Sequence, residues 1–128
     1  MITLSPGDTG PEWSLPLTPT TIVSTAIATR DWQDVHHDRD VAQAAGSQDI
    51  FMNILTTNGL VEKYVADWVG HDVQLRGIAI RLGAPAYPYD TLTFSGSVTS
   101  VADGLAEIAV VGRVPRGDHV TGTVRVAL

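Results

Sequence analysis

Residues 52–68 constrain the fold of this chain more than any other stretch. They read as one long apolar helix, and everything after them reads as sheet. Ile54, Leu55, Val61, Val65 and Trp68 recur at the spacings of one helix face, and Leu60 and Tyr64 widen the stripe. Gly70 is the expected stop. Beyond it, 77–82 alternates with Ile78, Ile80 and Leu82 on one face, and 91–98 sets apolar residues against Ser and Thr with Gly96 the one gap. Pro85-Ala86-Tyr87-Pro88-Tyr89-Asp90 is a turn. Asp103-Gly104 is a hairpin signal, and 106–114 and 119–127 read as two more strands joined around Pro115-Arg116-Gly117-Asp118. So wide a stripe needs an apolar surface to cover it, and four consecutive antiparallel strands supply one on their concave face. The expected class is α+β, an antiparallel sheet wrapped around one long central helix.

The N-terminal part is less patterned. Residues 1–19 are rich in Pro, Gly, Ser and Thr and read as an extended arm or loop, with Trp13 a candidate anchor. Residues 20–27 are β-branched and read as a strand. Residues 39–45 read as a short helix stopped by Gly46. Gly59 lies inside the long helix at a cost of roughly 1 kcal/mol relative to Ala, and a glycine so placed is expected to admit another backbone. The length of 128 residues fits one domain, 1–128, and the order of elements is that of a hot dog fold.

Composition narrows the function. Charged residues make up 17% of the chain, against about a quarter in an average soluble domain, which suggests surface buried against another chain. Cysteine is absent, which excludes disulfides and thiolate chemistry. The net charge of −6, with Lys63 the single lysine, argues against nucleic acid as a partner. The N-terminus lacks the basic start and apolar run of a signal peptide, and no apolar run reaches membrane-span length. A cytoplasmic location away from the membrane is expected.

Chemistry concentrates in Thr29-Arg30-Asp31-Trp32-Gln33-Asp34-Val35-His36-His37-Asp38, which places Asp31, Asp34, His36 and His37 close together beside a tryptophan. Asp31 and His36, five residues apart before a helix, can face one pocket. A carboxylate and an imidazole sharing one water can move protons onto and off it, and imidazole ordinarily titrates near neutrality. On the local pattern alone the same residues read more readily as a helix N-cap and an ordinary histidine, and only register with a second motif reverses that preference. His36-His37-Asp38 is not expected to hold a metal, because neighbouring side chains diverge and no third ligand has suitable spacing. Asp34 and His37 read as solvated or interface residues. Arg30 reads as a partner for Asp34 or Asp38, worth little if exposed.

In register, these residues resemble the MaoC-like, or type 2, enoyl-CoA hydratases. That family carries Gly-Asp-x-Asn-Pro-Leu-His, an Ala six residues after the His and a Gly soon after. Arg30-Asp31-Trp32-Gln33-Asp34-Val35-His36, Ala42 and Gly46 match it. The family's later turn, Pro-Val-x-Pro-Gly-Asp-Thr-Leu, matches Pro85-Ala86-Tyr87-Pro88-Tyr89-Asp90-Thr91-Leu92. The likeness runs from about residue 20 to the C-terminus. Arg30 departs from the family's leading Gly, Gln33-Asp34 from its Asn-Pro, and Met52-Asn53 from the usual His-Gly at the start of the long helix. The Asp31–Asp38 run, Asp49-Ile50-Phe51 and Asn53-Ile54-Leu55-Thr56 look like the small subunits of actinobacterial steroid side-chain hydratases.

The resemblance implies hydration of a trans-2-enoyl-CoA, with Asp31 and His36 catalytic and the backbone N–H of Asn53 meeting the thioester oxygen. It implies no cofactor beyond the coenzyme A thioester substrate. The implied partner is a second, different MaoC-like subunit, in a hetero-oligomer. Arg81, Arg113 and Arg116 are candidates for the coenzyme A phosphates, but each reads as well as a solvated arginine, so no contact is assigned. Two other classes stay open. A hot dog thioesterase needs a carboxylate on or near the long helix, which offers only Glu62 and Asp67, both late. A non-catalytic partner subunit needs neither Asp31 nor His36.

Overall fold

The computed structural model describes residues 2–128, so Met1 of the expected arm lies outside the described residues. In chain order the elements are β1 (Trp13–Pro16), α1 (Pro19–Ala28), a 3-10 turn (Asp34–His36), α2 (Arg39–Ala44), α3 (Ile54–Val69), β2 (Gln74–Leu82), β3 (Thr91–Ala102), β4 (Leu105–Val114) and β5 (Gly117–Ala127). The strands form one antiparallel sheet in the order β1-β3-β4-β5-β2. This is the expected hot dog class. β3, β4 and β5 form the meander read from the sequence. β2 lies beyond β5 rather than beside β3, and leaves a nine-residue outer edge.

The long helix buries the stripe its spacing announces, but only from its second turn onward. Val61, Tyr64, Val65 and Val69 are buried, in one apolar cluster with Leu92, Phe94, Val98, Ile108, Val110, Val120, Val124 and Val126 of the sheet. Each large side chain so buried contributes about 1.5–3 kcal/mol. Ile54 and Leu55, expected in that stripe, are each 51% exposed, because the inward positions of the first turn are taken by the buried Thr56 and Thr57. The gap at Gly96 has a steric reason. A Cβ there would lie 3.1 Å from Cε2 of Tyr64 and 3.2 Å from Cζ3 of Trp68, so the helix aromatics sit down onto a bare strand. Gly59 corrects the expectation in the other direction: nothing lies within 4 Å of its would-be Cβ, and no other backbone approaches it there.

Two N-terminal expectations change. Residues 20–27 are not a strand but the body of α1. Thr18 caps that helix, its Oγ1 accepting from the backbone N–H of Thr21, and Pro19 opens it. A cap and a proline at the first position outweigh β-branched propensity. The hydroxyls of Thr25 and Thr29 turn inward and donate to carbonyls one turn back. Part of the arm is ordered as β1, which pairs with β3 and stacks Trp13 on Phe94 at 5.4 Å between ring centroids. Trp13 is thus the anchor expected. α2 and its stop at Gly46 (φ +95°) fall where the sequence places them.

Candidate active site

The end of α1 delivers Asp31. Arg30 N–H donates to the Ile27 carbonyl at 2.9 Å and Asp31 N–H to the Ala26 carbonyl at 2.9 Å. These are the two bonds of a Schellman motif, with Arg30 in its left-handed position at φ +58°. The motif reverses the chain abruptly, so Asp31 follows the last helical turn at a defined angle. Its Oδ1 then accepts from the N–H of Gln33 at 3.3 Å. Asp31 is not a helix cap; that role falls to Asp38, which caps α2 by accepting from Val41 N–H.

His36 ends the 3-10 turn and is 5% exposed. Its Nδ1 lies 2.7 Å from the carbonyl oxygen of Phe51, and the Phe51 ring meets it edge-on at 4.9 Å. A carbonyl only accepts, so Nδ1 carries the proton and donates. The neutral ring therefore keeps its free lone pair on Nε2, which faces Oδ2 of Asp31 at 3.4 Å. Two acceptors that face each other so closely are suited to a single donor that serves both, as a water molecule could.

Asn53, the N-cap residue of α3, is 1% exposed and closes the rear of the pair. Its Nδ2 donates to Oγ1 of Thr29 at 2.8 Å and to Oδ2 of Asp31 at 3.3 Å, and its Oδ1 accepts from the Thr56 hydroxyl. The Thr29 proton is engaged with helix carbonyls, so Thr29 is an acceptor here. Flipping the amide would set oxygen against the Asp31 carboxylate. Among the described residues, the backbone N–H of Asn53 has no hydrogen-bond acceptor. Behind Asn53, the Thr57 hydroxyl meets Nε2 of His119 at 2.8 Å, and His119 Nδ1 donates to the Ala84 carbonyl at 2.8 Å. Burial pushes the His119 pKa down, against the Ala84 bond and the nearby charge of Asp90.

The pair opens into a cleft of about 320 Å³ lined by Asp31, Gln33, His36, Phe51, Met52, Ile54, Leu82, Gly83 and Pro85. Ile54 and Leu82 give it apolar walls, while Asn53 stays behind them. A larger cleft of about 480 Å³ lies away from this chemistry, between Arg76, Arg125 and the β3–β4 hairpin. The other charged residues do not join the pair. His37 points outward to Asp34 at 3.5 Å. Asp67 is held by Lys63 and His71 on the exposed side of α3, and Glu62 is exposed. Arg113 pairs with Asp118, and Arg116 clasps Asp90. The expected Arg30 pairing with Asp34 or Asp38 is not found among the described residues. Among those residues, no three His, Cys, Asp or Glu side chains converge as for a metal.

Residues 6–119 match the family model described as the MaoC like domain. The chain belongs to the MaoC-like family. It is 60% identical, over 92% of both chains, to the 3-oxo-4,17-pregnadiene-20-carboxyl-CoA hydratase beta subunit of Mycobacterium tuberculosis. Its structure superposes on a chain of the ChsH1–ChsH2 complex of the same organism with a TM-score of 0.96, at 57% identity, covering 98% of this chain and 99% of that one. The (R)-hydratase from A. caviae involved in PHA biosynthesis shares the fold, with a TM-score of 0.89 at 18% identity over 98% of each chain.

Membership in the MaoC-like family gives meaning to two backbone oddities. Arg30 and Tyr89 both stand where the family motifs carry glycine, and both have positive φ, +58° and +70°. The side chains departed from the motif but the backbone did not. Asp90 N–H donates to the Tyr87 carbonyl at 3.2 Å across Pro88 and Tyr89. That is a type II turn, in which the third position favours glycine. Arg116 secures it, donating to Asp90 and to the Pro85 carbonyl and lying over the Tyr87 ring. Sequence reasoning passed over the Asn53 side chain and the Phe51 carbonyl. Nothing local marks either one, since both act across long sequence separations.

Proposed function

We propose that this chain is the catalytic subunit of a hetero-oligomeric enoyl-CoA hydratase. It adds water to the trans-2-enoyl-CoA thioester of a steroid side chain and yields the 3-hydroxyacyl-CoA. The observation that carries this reading is the approach of Asp31 Oδ2 and His36 Nε2 to 3.4 Å at the floor of an apolar-walled cleft. Phe51 holds the His36 proton on the far nitrogen, so both groups accept from the same water. As the water oxygen attacks the β-carbon, the pair takes one of its protons and returns a proton to the α-carbon, and the site ends in its starting state. The charge that gathers on the thioester oxygen calls for a donor at the start of α3, where N–H groups and the helix dipole point outward. The Asn53 backbone N–H is that donor.

The steroid substrate and the partner rest on the relative named as the beta subunit of a pregnadiene carboxyl-CoA hydratase and on the two-protein complex whose chain this structure matches. The unpaired outer edge of β2 gives a second chain a strand to extend. Low charge content agrees with such an interface. No helix among the described residues is long and apolar enough to cross a membrane, and we place the enzyme in the cytoplasm.

The test is co-expression with a second MaoC-like subunit, followed by loss of the enoyl thioester absorbance and by assay for free thiol. Hydration without thiol release is expected. Asp31→Asn and His36→Ala should each lower turnover by about 100-fold or more, with melting temperatures close to wild type. Thiol release would favour a thioesterase. Silence in both assays would leave a non-catalytic subunit.

A further inference from the structure

We infer that the side chain of Asn53 is a positioning residue that aims the Asp31 carboxylate at the shared water. This rests on the hydratase reading and concerns a residue that stands where the resembling motif has glycine. The amide is buried and fully engaged, with Thr29, Asp31 and Thr56 taking up its donors and its acceptor. Thr29 belongs to the end of α1 and Thr56 to the first turn of α3, so the amide also ties together the two elements that flank the cleft.

The bond falls on the oxygen that matters. Asn53 Nδ2 donates to Oδ2, the Asp31 oxygen that faces His36 Nε2, while Oδ1 is taken by Gln33 N–H. A carboxylate oxygen has two in-plane lone pairs. With one of them occupied by the amide, the other is left for the water between Asp31 and His36. Without the amide, only the Gln33 N–H bond to Oδ1 restrains the carboxylate about its last torsion, which is broad and only roughly two-fold. The water would then lose its second fixed acceptor, though the pair itself would remain.

The decisive variant is Asn53→Asp, which preserves shape and replaces the donor with an acidic oxygen. When the new carboxyl is protonated, its O–H can still donate to Oδ2. When it ionises, two carboxylates face each other and the bond is lost. Asp31 and His36 are the other titratable groups at this point, with His119 behind Thr57, and all three are unchanged in the variant. We therefore expect the kcat of the variant complex to approach wild type in acid. As pH rises it should fall by up to about tenfold per pH unit, a limb that wild type lacks. KM should change by less than about threefold, because the Asn53 side chain is not among the residues that line the cleft. Asn53→Ala should lower kcat by about tenfold or more at every pH. Melting temperatures recorded across the same pH range separate this from simple loss of fold.

An activity-free readout accompanies the kinetics. Both Asn53 side-chain amide protons should be protected from exchange, and in Asp31→Ala the one bonded to Asp31 should lose that protection while the one bonded to Thr29 keeps it. Wild-type hydration together with an Asn53→Asp pH profile parallel to wild type would overturn this inference alone. So would an Asn53 amide that is unprotected in wild type. If the wild-type complex hydrates no enoyl-CoA, the functional reading falls and this inference falls with it.

Discussion

Tyr89 holds the glycine-favouring position of the 87–90 turn at φ +70° with its side chain 83% exposed, so its replacement by glycine should raise stability. A left-handed backbone costs a residue with a Cβ about 1–2 kcal/mol. Glycine escapes that cost but gives back about 0.4–1 kcal/mol through the greater freedom of the unfolded chain. An exposed ring has little packing to lose, and the Tyr89 N–H bond to the Leu17 carbonyl at 2.7 Å is a backbone bond that glycine keeps. The net gain is about 0.5–1 kcal/mol. Unfolding entropy near 2.1 cal/mol/K per residue gives about 270 cal/mol/K for a chain of this length, so the melting temperature should rise by about 2–4 °C. Calorimetry of Tyr89→Gly, Tyr89→Ala and wild type in the same assembly measures it. Tyr89→Ala retains the Cβ and should show no such rise. A lower melting temperature for Tyr89→Gly, or an equal rise for Tyr89→Ala, would refute the reasoning.

Asn53→Pro removes the backbone donor as well as the side chain, at a φ of −80° that proline tolerates. Its kcat should fall at least about tenfold below that of Asn53→Ala, and equal activities would take the backbone N–H out of the mechanism. His119 supplies a pH-dependent share of stability. Its folded pKa lies below the ordinary 6.5, mainly because burial disfavours the charged ring. In the window between those values the unfolded chain binds the extra proton, so this share is complete above the ordinary value and is lost as pH falls through the folded one. Melting curves of His119→Gln should show a shallower loss between about pH 7 and pH 5 than wild type, and identical slopes would clear His119 of any part in acid sensitivity.

Much of the site was legible because its parts are local. Asp31 and His36 sit five residues apart, and the turn that separates them is built from short-range bonds. Their pairing could be read from spacing and register, and the structure brings them together. What holds them was not legible. The Phe51 carbonyl is 15 residues from His36, and Asn53 is 22 from Asp31. Nothing in the pattern of either segment reports the other. Residues 20–27 depart from the expected strand for a local reason: β-branched residues suit a strand, but Thr18 and Pro19 beside them cap and open a helix.

By itself the sequence determined the class of fold, through an apolar stripe at helical spacing followed by alternating runs, because burial must follow those two periods. It also marked the turn at 85–90 through its prolines, whereas the positive φ of Arg30 and Tyr89 stands in no local pattern, and Arg116 secures the second from a distant turn. Only the tertiary structure decided that β2 would cross to the far edge of the sheet, since strand order depends on which surfaces compete for cover. Only it decided that the first turn of the helix would point Thr56 and Thr57 inward, leaving Ile54 to wall the cleft and Asn53 to reach Asp31. Hydrogen bonds between distant segments form when packing brings them within about 3 Å, and that distance is a property of the assembled layers.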